Sequence, residues 1–467
     1  MADRLSALDA SFLYIEEPNT PMHVGAVSLF RRPRSGFDYE RMVQLIEQRM
    51  AMVPRYRQKV RKIPGRLARP VWVDDVNFDI AYHVRRSAMP KPGSDAQLRE
   101  LVARLVSRPL DHDRPLWEMN LVEGLSGSRI AVITKTHQAM VDGISAIDIG
   151  QVILDVTPTP RDIPEDLWMP QPEPHALGLV WQAAVEAVQR PGEIIGNVRS
   201  AMLGGVATVW QVAEAVGGVA SALLTAARPS PGGPLNVPIS NQRRFAVART
   251  RLEDYRAVRK AHGGDINDGV LAVVSGALRN WFLFRGEAVT SSTTVRAMVP
   301  VSVRGDISEG AEGMGSRVAS YLVDLPVGEP NPVLRLNYVS HAMRAHKESG
   351  QSVGADALIR LGGFAPSTIH SLGARVANSF SQRIFNLVIT NVPGPQFPLY
   401  AAGAKMIEMF PVVPLAKNQA VSIGITSYDG GVYYGLNADR DAMSDLDTLA
   451  ALIEESLEEL VSTVPGR

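Results

Sequence analysis

Residues 129–143 read RIAVITKTHQAMVDG, and this stretch determines which class of fold the chain can adopt. Its first eight residues, RIAVITKT, are typical of a buried β-strand. Downstream, Ala146, Ile149 and Ile153 have the i, i+3, i+7 spacing that places apolar side chains on one face of a helix. A strand that leads directly into a helix predicts an α/β fold.

The turn between the predicted strand and helix contains four candidate site residues: His137, Gln138, Asp142 and Gly143. A histidine at the end of a strand can act as a general base toward an alcohol. Asp142 is placed to cap the helix, because its carboxylate can accept hydrogen bonds from the first backbone N–H groups. Gly143 allows close approach of another group. Taken alone, the motif favours a structural role slightly over a catalytic one.

The composition excludes several classes of function. Lys plus Arg and Asp plus Glu both number 48 in 467 residues, so no global field draws the chain to nucleic acid. The absence of cysteine excludes disulfides, thiolate catalysis and cysteine-ligated metals. The first residues lack the basic and apolar segments of an export signal, which predicts a cytoplasmic location. With 45% apolar residues, the chain can bury the cores of two domains or of one large two-lobed unit.

The order of patterns along the chain predicts two α/β lobes joined by a crossover. Residues 1–156 alternate short apolar runs with helical patterns and form the predicted N-terminal lobe. Residues 157–239 start with the proline-rich TPTPRDIPEDLWMPQPEP, typical of a linker, and then become an Ala-, Gly- and Val-rich helical crossover. Residues 240–467 return to strands and amphipathic helices and form the predicted C-terminal lobe.

Two segments raise the question of contact with lipid. Residues 203–227 are long enough to span a bilayer, but Glu214 divides them, so burial against the lobes is favoured over interfacial attachment. In RYRQKVRK at 55–62, alternate basic residues would share one face of a strand and could hold phosphates or anionic lipid. A solvated face balanced by Asp74 and Asp75 is the favoured interpretation. The four basic residues are Arg55, Arg57, Lys59 and Arg61.

Other catalytic signatures are missing from the sequence. It contains no GxSxG elbow, no phosphate loop ending in Gly-Lys-Ser or Gly-Lys-Thr, and no HExxH motif, which argues against hydrolases, nucleotidases and metalloproteases. Apart from His137 and His23, the histidines have no Asp, Glu or His at a convincing metal-ligand spacing, so we expect no metal. These histidines are His83, His112, His175, His262, His341, His346 and His370.

An ordered set of motifs surrounds His137. PLWEMNLVEGL begins at Pro115, and INDGVLAVVSGALRNW, MVPVSVR and NVPGP follow His137 in that order. Together with LSALDASFLYIEEPNTPMHVGAV from Leu5, this set resembles the bacterial wax ester synthase and acyl-CoA:diacylglycerol acyltransferase family. That family is related to chloramphenicol acetyltransferase and to peptide-synthetase condensation domains. The resemblance covers nearly the whole chain.

The resemblance implies an acyl-CoA-dependent O-acyltransferase with two chloramphenicol-acetyltransferase-like lobes and a substrate tunnel between them. Acyl-CoA would enter from one side, as a co-substrate without a further cofactor, and diacylglycerol or a long-chain alcohol from the other. A histidine would take the hydroxyl proton while the oxygen attacks the thioester, which gives triacylglycerol or a wax ester. Lipid substrates also make a peripheral position on a membrane or lipid droplet an alternative to the cytoplasm.

The resemblance also implies supporting residues. An oxyanion donor is expected near Asn267 and Asp268, although the letters IND are explained equally well as the start of a helix. Asp142 is expected to hold the motif loop through an arginine, for which Arg304 is the candidate.

The sequence departs from this family at the position of the base. The family motif is HHxxxDG with the second histidine as base, whereas this chain has His137 followed by Gln138. A glutamine amide can orient an alcohol but cannot accept a proton near neutrality. Because adjacent side chains of a strand point to opposite faces, His137 should point away from the tunnel if Gln138 points into it. Loss of a general base typically lowers a rate by roughly 10²- to 10⁴-fold.

Three interpretations therefore remain open. In the first, a turn or bulge brings the His137 ring inward and the chain is an active acyltransferase. In the second, the chain binds acyl-CoA or lipid with little or no catalysis, in a regulatory or partner-binding role. In the third, another histidine is the base, with His23 in PMHVG as the candidate, although a structural role for His23 is favoured.

Overall fold

The computed structural model describes residues 3–33, 36, 39–64, 68–141, 149–161, 168–175, 178, 233–303, 317–349, 353–354 and 384–466. Over these residues the chain is a mixed α/β structure, which confirms the predicted class. Asp142, Gly143 and Arg304 lie outside the described residues, as does nearly all of the predicted crossover. In the part of the chain that is described, no helix is both long and apolar enough to cross a bilayer.

Six strands form a sheet that is built mainly from the N-terminal part of the chain. Across the sheet they are β13 (Tyr400–Ala401), β14 (Ala404–Val412), β2 (His23–Arg31), β7 (Arg129–His137), β6 (Trp117–Leu125) and β5 (Val84–Ala88). Strand β7 lies inside the sheet, and every residue from Ile130 to His137 is buried. The apolar residues 130–133 predict this burial, and the polar residues 134–137 that follow them are buried as well.

Short helices and a small second sheet surround these strands. The helices are α1 (Ala7–Ile15), α2 (Tyr39–Arg49), α3 (Ile80–His83), α4 (Asp95–Val106) and α5 (Ile149–Val152), with 3-10 turns at Met50–Met52, Pro54–Arg57 and Gln138–Met140. The second sheet has the order β1 (Asp3–Arg4), β4 (Val71–Asp74) and β3 (Gln58–Arg61). Ser6 caps α1 by accepting a hydrogen bond from the Asp9 N–H, so α1 begins directly after β1.

Seven strands form the sheet of the C-terminal part. In order they are β11 (Val353–Gly354), β10 (Arg317–Leu325), β9 (Val295–Val303), β12 (Leu387–Pro393), β15 (Val421–Tyr428), β16 (Gly431–Asp439) and β8 (Arg243–Arg251). Helices α6 (Leu252–His262), α7 (Ile266–Phe284), α8 (Pro332–Ser349) and α9 (Leu446–Val461) accompany it. A single large apolar cluster joins α7 and α9 to the strands, and it includes Trp281, Leu278 and Ile453.

The two large sheets interlock. Strands β13 and β14 lie within the range predicted for the C-terminal lobe, yet they pair in the N-terminal sheet, where β14 is antiparallel to β2. Strand β14 also packs against β15 and β16. A Cβ added at Gly435 would lie 1.9 Å from the Pro411 carbonyl oxygen, so only glycine allows this close approach. The border between the sheets therefore does not follow one boundary in the sequence.

The predicted strand of alternating basic residues is wrong in its first half. Pro54 starts a 3-10 turn at Pro54–Arg57, because proline has the backbone angle of a first helical position and no N–H for a ladder. Only Lys59 and Arg61 lie on β3. The Lys59 ammonium is 3.3 Å from Asp75, and Arg61 pairs with Glu173. Their charges are therefore balanced within the protein, that of Lys59 by the expected Asp75 and that of Arg61 by Glu173. The Lys59 side chain is only 14% exposed, so this face is less solvated than expected.

Candidate active site

The end of β7 positions the backbone of the motif. The His137 N–H donates to the Leu116 carbonyl at 2.9 Å, and the Gln138 N–H donates to the Met22 carbonyl at 2.8 Å. The 3-10 turn Gln138–Met140 begins directly afterwards. The two neighbouring side chains have different surroundings, since His137 is fully buried and Gln138 is half-buried.

The His137 imidazole is hydrogen-bonded at Nδ1 and lies near a carboxylate at Nε2. Its Nδ1 accepts a hydrogen bond from the Ala139 N–H at 3.0 Å. A nitrogen that accepts a hydrogen bond cannot hold the proton, so the neutral ring has its proton on Nε2. That Nε2 lies 3.5 Å from Oε2 of Glu16. The lone pair that a general base would need is therefore already engaged by the backbone.

Glu16, directly after α1, joins two histidines. Its Oε2 is 2.7 Å from Nε2 of His112 and 3.5 Å from Nε2 of His137, while its Oε1 accepts from the Met22 N–H at 3.0 Å. Burial alone would raise the pKa of Glu16, but the hydrogen bond from His112, the nearby His137 ring and the hydrogen bond from the Met22 N–H outweigh burial and hold its pKa well below the usual range. The carboxylate is therefore ionised at neutral pH.

Sequence reasoning did not single out Glu16, and it set His112 aside. Both residues lie far from His137 in sequence, in LYIEEP and LDHDRPLW, and no spacing rule connects them. The pairing arises because α1 packs against the 3-10 turn of the motif and because the segment before β6 passes beside the same turn. The available hint was that Glu16 belongs to the ordered motif set and that His112 lies three residues before the motif that begins at Pro115.

The cluster of Glu16, His112 and His137 also has the composition of a metal site. One ligand atom from each residue lies within 4.8 Å of the other two. A histidine ligand, however, binds through a free lone pair and donates its other N–H to the protein. His137 has the opposite arrangement, because its Nδ1 accepts from the backbone and its Nε2 holds the proton. The donor set therefore fits a hydrogen-bonded network better than a metal ion.

His23 is buried beneath the motif, opposite His137 in the register of β2 and β7. Its Nε2 lies 3.0 Å from the Val106 carbonyl and donates to it. Burial, followed by the nearby Lys135 charge, lowers the pKa of His23 to about 3. These surroundings agree with the favoured structural role.

Asn267 and Asp268 lie at the start of α7. Asp265 caps this helix by accepting from the Asp268 N–H, and the Asp268 carboxylate accepts in return from the Asp265 N–H, which makes a capping box. Burial raises the pKa of the Asp268 carboxyl. Asn391 in NVPGP donates to the Asn267 side-chain oxygen at 3.1 Å, which joins two motifs of the set. The helix-start interpretation thus accounts for Asp268, and an oxyanion role for this pair stays a prediction.

The tunnel between the lobes also stays a prediction. A cavity of about 240 Å³ lies elsewhere, in the C-terminal half, between Leu235, Phe282 and Asn386. Of the predicted motif residues, the structure places His137 and Gln138 at the end of β7, whereas Asp142 and Gly143 are outside the described residues.

Two interlocked sheets with a histidine motif at the end of a buried strand define a two-lobed acyltransferase fold. The solved wax ester synthase/diacylglycerol acyltransferase from Marinobacter aquaeolei VT8 is 28% identical, with a TM-score of 0.69 over 99% of both chains. The first condensation domain of the CDA synthetase shares the fold alone, with 14% identity and a TM-score of 0.58 over 99% of this chain and 97% of that one.

Comparison of sequences gives the same family. The wax ester synthase/diacylglycerol acyltransferase catalytic domain matches residues 5–270, and the corresponding C-terminal domain matches residues 314–461. Two probable diacylglycerol O-acyltransferases of Mycobacterium tuberculosis are similar: tgs3 is 50% identical over 57% of this chain and 98% of its own length, and tgs1 is 32% identical over 98% and 96%. This chain belongs to the wax ester synthase/diacylglycerol acyltransferase family, and it is an acyltransferase.

Proposed function

We propose that this protein transfers a long-chain acyl group from acyl-CoA to the hydroxyl of diacylglycerol or of a long-chain alcohol. The observation that supports this most strongly is similarity to diacylglycerol O-acyltransferases along 98% of the chain. The product would be triacylglycerol or a wax ester. Acyl-CoA would be the co-substrate, and no further cofactor would take part.

The reaction needs a group that accepts the hydroxyl proton. His137 is a poor candidate, because its Nδ1 is engaged by Ala139 and its Nε2 faces Glu16. We assign His137 to support of the motif turn instead. Gln138 can hydrogen-bond to the acceptor alcohol and orient it, but it cannot take the proton. Positioning of two bound substrates supplies part of the rate even where a base is lost.

A second candidate function follows from the same observations. With Gln138 at the position of the base and His137 fixed within the protein, the chain would bind acyl-CoA or lipid and catalyse transfer only weakly, in a regulatory or partner-binding role. Both functions require an acyl-CoA site, so ester formation is the property that separates them.

The test is ester formation by the purified protein with palmitoyl-CoA and either dioleoylglycerol or hexadecanol. Because the chain has no cysteine, a thiol reagent measures released CoA without a protein background. We expect ester and CoA in equal amounts, and little CoA when the acceptor is omitted. Saturable binding of palmitoyl-CoA without ester from either acceptor would instead support the second function.

The site of action is proposed to be a lipid surface reached from the cytoplasm, since both acceptors are nearly insoluble in water. The protein would attach there peripherally. Flotation with anionic vesicles at two salt concentrations tests this, because attachment through charge weakens as salt increases. Protein that stays in the aqueous fraction at low salt would exclude it.

A further inference from the structure

A second imidazole lies beside the motif. The ring centroid of His112 is 5.8 Å from that of His137, and the two planes meet at 79°. The His112 side chain is 33% exposed, whereas that of His137 is 0% exposed. His112 is therefore the partner in this cluster that a substrate can reach.

A buried carboxylate orients the His112 ring. Oε2 of Glu16 is 2.7 Å from Nε2 of His112, and the Glu16 side chain is only 9% exposed. Donation of the Nε2 proton to Glu16 leaves the lone pair of the neutral ring on Nδ1, on the partly exposed imidazole. An anionic carboxylate behind one ring nitrogen also stabilises the imidazolium that forms when the other nitrogen takes a proton. This is the arrangement of a histidine–carboxylate base.

The other described histidines do not offer the same combination of position and exposure. His23 and His83 are buried, and each has a ring nitrogen next to a backbone carbonyl. His262, the last residue of α6, is hydrogen-bonded to Thr463, and His341 is exposed on α8. Among the residues that the structure describes, His112 alone pairs partial exposure with a ring contact to the motif.

We propose that His112, oriented by Glu16, accepts the proton of the acceptor hydroxyl in place of the imidazole that the motif lacks at Gln138; this rests on the proposed acyl-transfer function. As the hydroxyl oxygen bonds to the thioester carbonyl carbon, its proton passes to Nδ1 of His112. The tetrahedral intermediate then collapses and the carbon–sulfur bond breaks. The leaving thiolate takes the proton from the imidazolium, which gives CoA and the ester.

The charged groups around His112 determine the electrostatic environment in which it would accept the proton. Glu16 faces the ring from the end of α1 and His137 faces it from the end of β7. On its own segment, Asp111 pairs with Arg114, whose guanidinium lies 3.8 Å from the centre of the Tyr82 ring. Glu16 is thus the carboxylate in direct contact with His112. Substitution of Glu16 should therefore change the orientation of the His112 ring.

His112→Gln is the direct test, because the amide can still donate to Glu16 but cannot accept a proton. We expect kcat with palmitoyl-CoA and hexadecanol to decrease by roughly 10²- to 10⁴-fold, while KM for palmitoyl-CoA changes little. The decrease of kcat at acidic pH, which reports protonation of the base, should disappear as well. Adding Gln138→His to this variant should restore turnover. His341→Gln, an exposed histidine on α8, is the matched control and should behave like the wild type.

A measurement on the wild-type protein covers the case in which the variant does not fold. Diethyl pyrocarbonate modifies accessible imidazoles, and peptide masses give the modified fraction of each histidine. We expect turnover to be lost in proportion to modification of His112. Palmitoyl-CoA together with hexadecanol should slow both the modification of His112 and the loss of turnover. Turnover retained after His112 is fully modified, or a folded His112→Gln variant with wild-type kcat and pH profile, would overturn the role of His112 while leaving acyl transfer intact. A wild-type protein that forms no ester would overturn both proposals.

Discussion

At the residue scale, the motif shows which features of a side chain's surroundings strand geometry can predict and which it cannot. Alternation along a strand predicted that His137 and Gln138 point to opposite faces, but β7 ends at His137 and Gln138 begins a 3-10 turn, so the rule does not apply to this pair. Alternation could not predict which groups fix the ring of His137. Those groups are the Ala139 N–H in the following turn and Glu16 on a distant segment, and both depend on how the chain folds.

His23 gives a prediction about stability and pH. Burial lowers its pKa from 6.5 to about 3, so between these values the unfolded chain binds a proton that the folded chain does not. The contribution of His23 to the free energy of unfolding has its full value above pH 6.5. It decreases by about 1.4 kcal/mol per pH unit as the pH falls toward 3. His23→Gln keeps a donor for the Val106 carbonyl but does not titrate. We expect it to remove that slope between about pH 4 and pH 6, measured by urea unfolding.

The control for this measurement is His175→Gln, since His175 is exposed and its substitution should leave the slope unchanged. An identical slope for the wild type and His23→Gln would show that His23 titrates normally in the folded protein.

At the element scale, the sequence predicts the type of the elements better than their partners. The apolar run before His137 is a buried strand, and INDGVLAVVSGALRNW lies in the long helix α7, as their patterns indicate. The transfer of β13 and β14 to the N-terminal sheet was not predictable. Alternation of side chains shows that a segment is a strand, but it does not show which sheet the strand joins.

Gly435 tests the contact between the two sheets. A Cβ there would lie 1.9 Å from the Pro411 carbonyl oxygen, which no side-chain rotation relieves because the obstacle is backbone. We expect Gly435→Ala to move β14 away from β16 and to lower the free energy of unfolding by about 3 kcal/mol. Gly233→Ala is the matched control, because nothing lies within 4 Å of its added Cβ. Equal stabilities of the two variants, measured by denaturant unfolding, would mean that the sheets do not approach this closely.

At the scale of the whole molecule, the sequence was sufficient for the family and for the two-lobed fold. The ordered motifs identified both, and relatives along almost the whole chain confirm them. The route of the substrates was beyond sequence reasoning, because the width of a tunnel depends on how the lobes pack. The identity of the proton acceptor was also hidden, since Glu16, His112 and His137 meet only in the folded chain.

Binding of acyl-CoA is the prediction that belongs to this scale, because both proposed functions need the two-lobed fold to hold it. Calorimetry with palmitoyl-CoA, below the concentration at which this lipid forms micelles, should give saturable binding to the wild type. We expect His112→Gln to bind with nearly the same affinity, because the proposed role of His112 concerns proton transfer. If the wild type shows no saturable binding, neither function can hold.

Position 138, rather than position 137, is where an imidazole is expected to meet the acceptor hydroxyl. The turnover number of the double variant His112→Gln with Gln138→His, measured with palmitoyl-CoA and hexadecanol, tests this most directly. We expect it to exceed that of His112→Gln alone by roughly 10- to 1000-fold, because the second substitution places a proton acceptor where the resemblance puts the base and His112 can no longer take the proton. Equal turnover of the single and double variants, with loss of wild-type activity in His137→Ala, would contradict this and make His137 the base despite its contacts with Ala139 and Glu16.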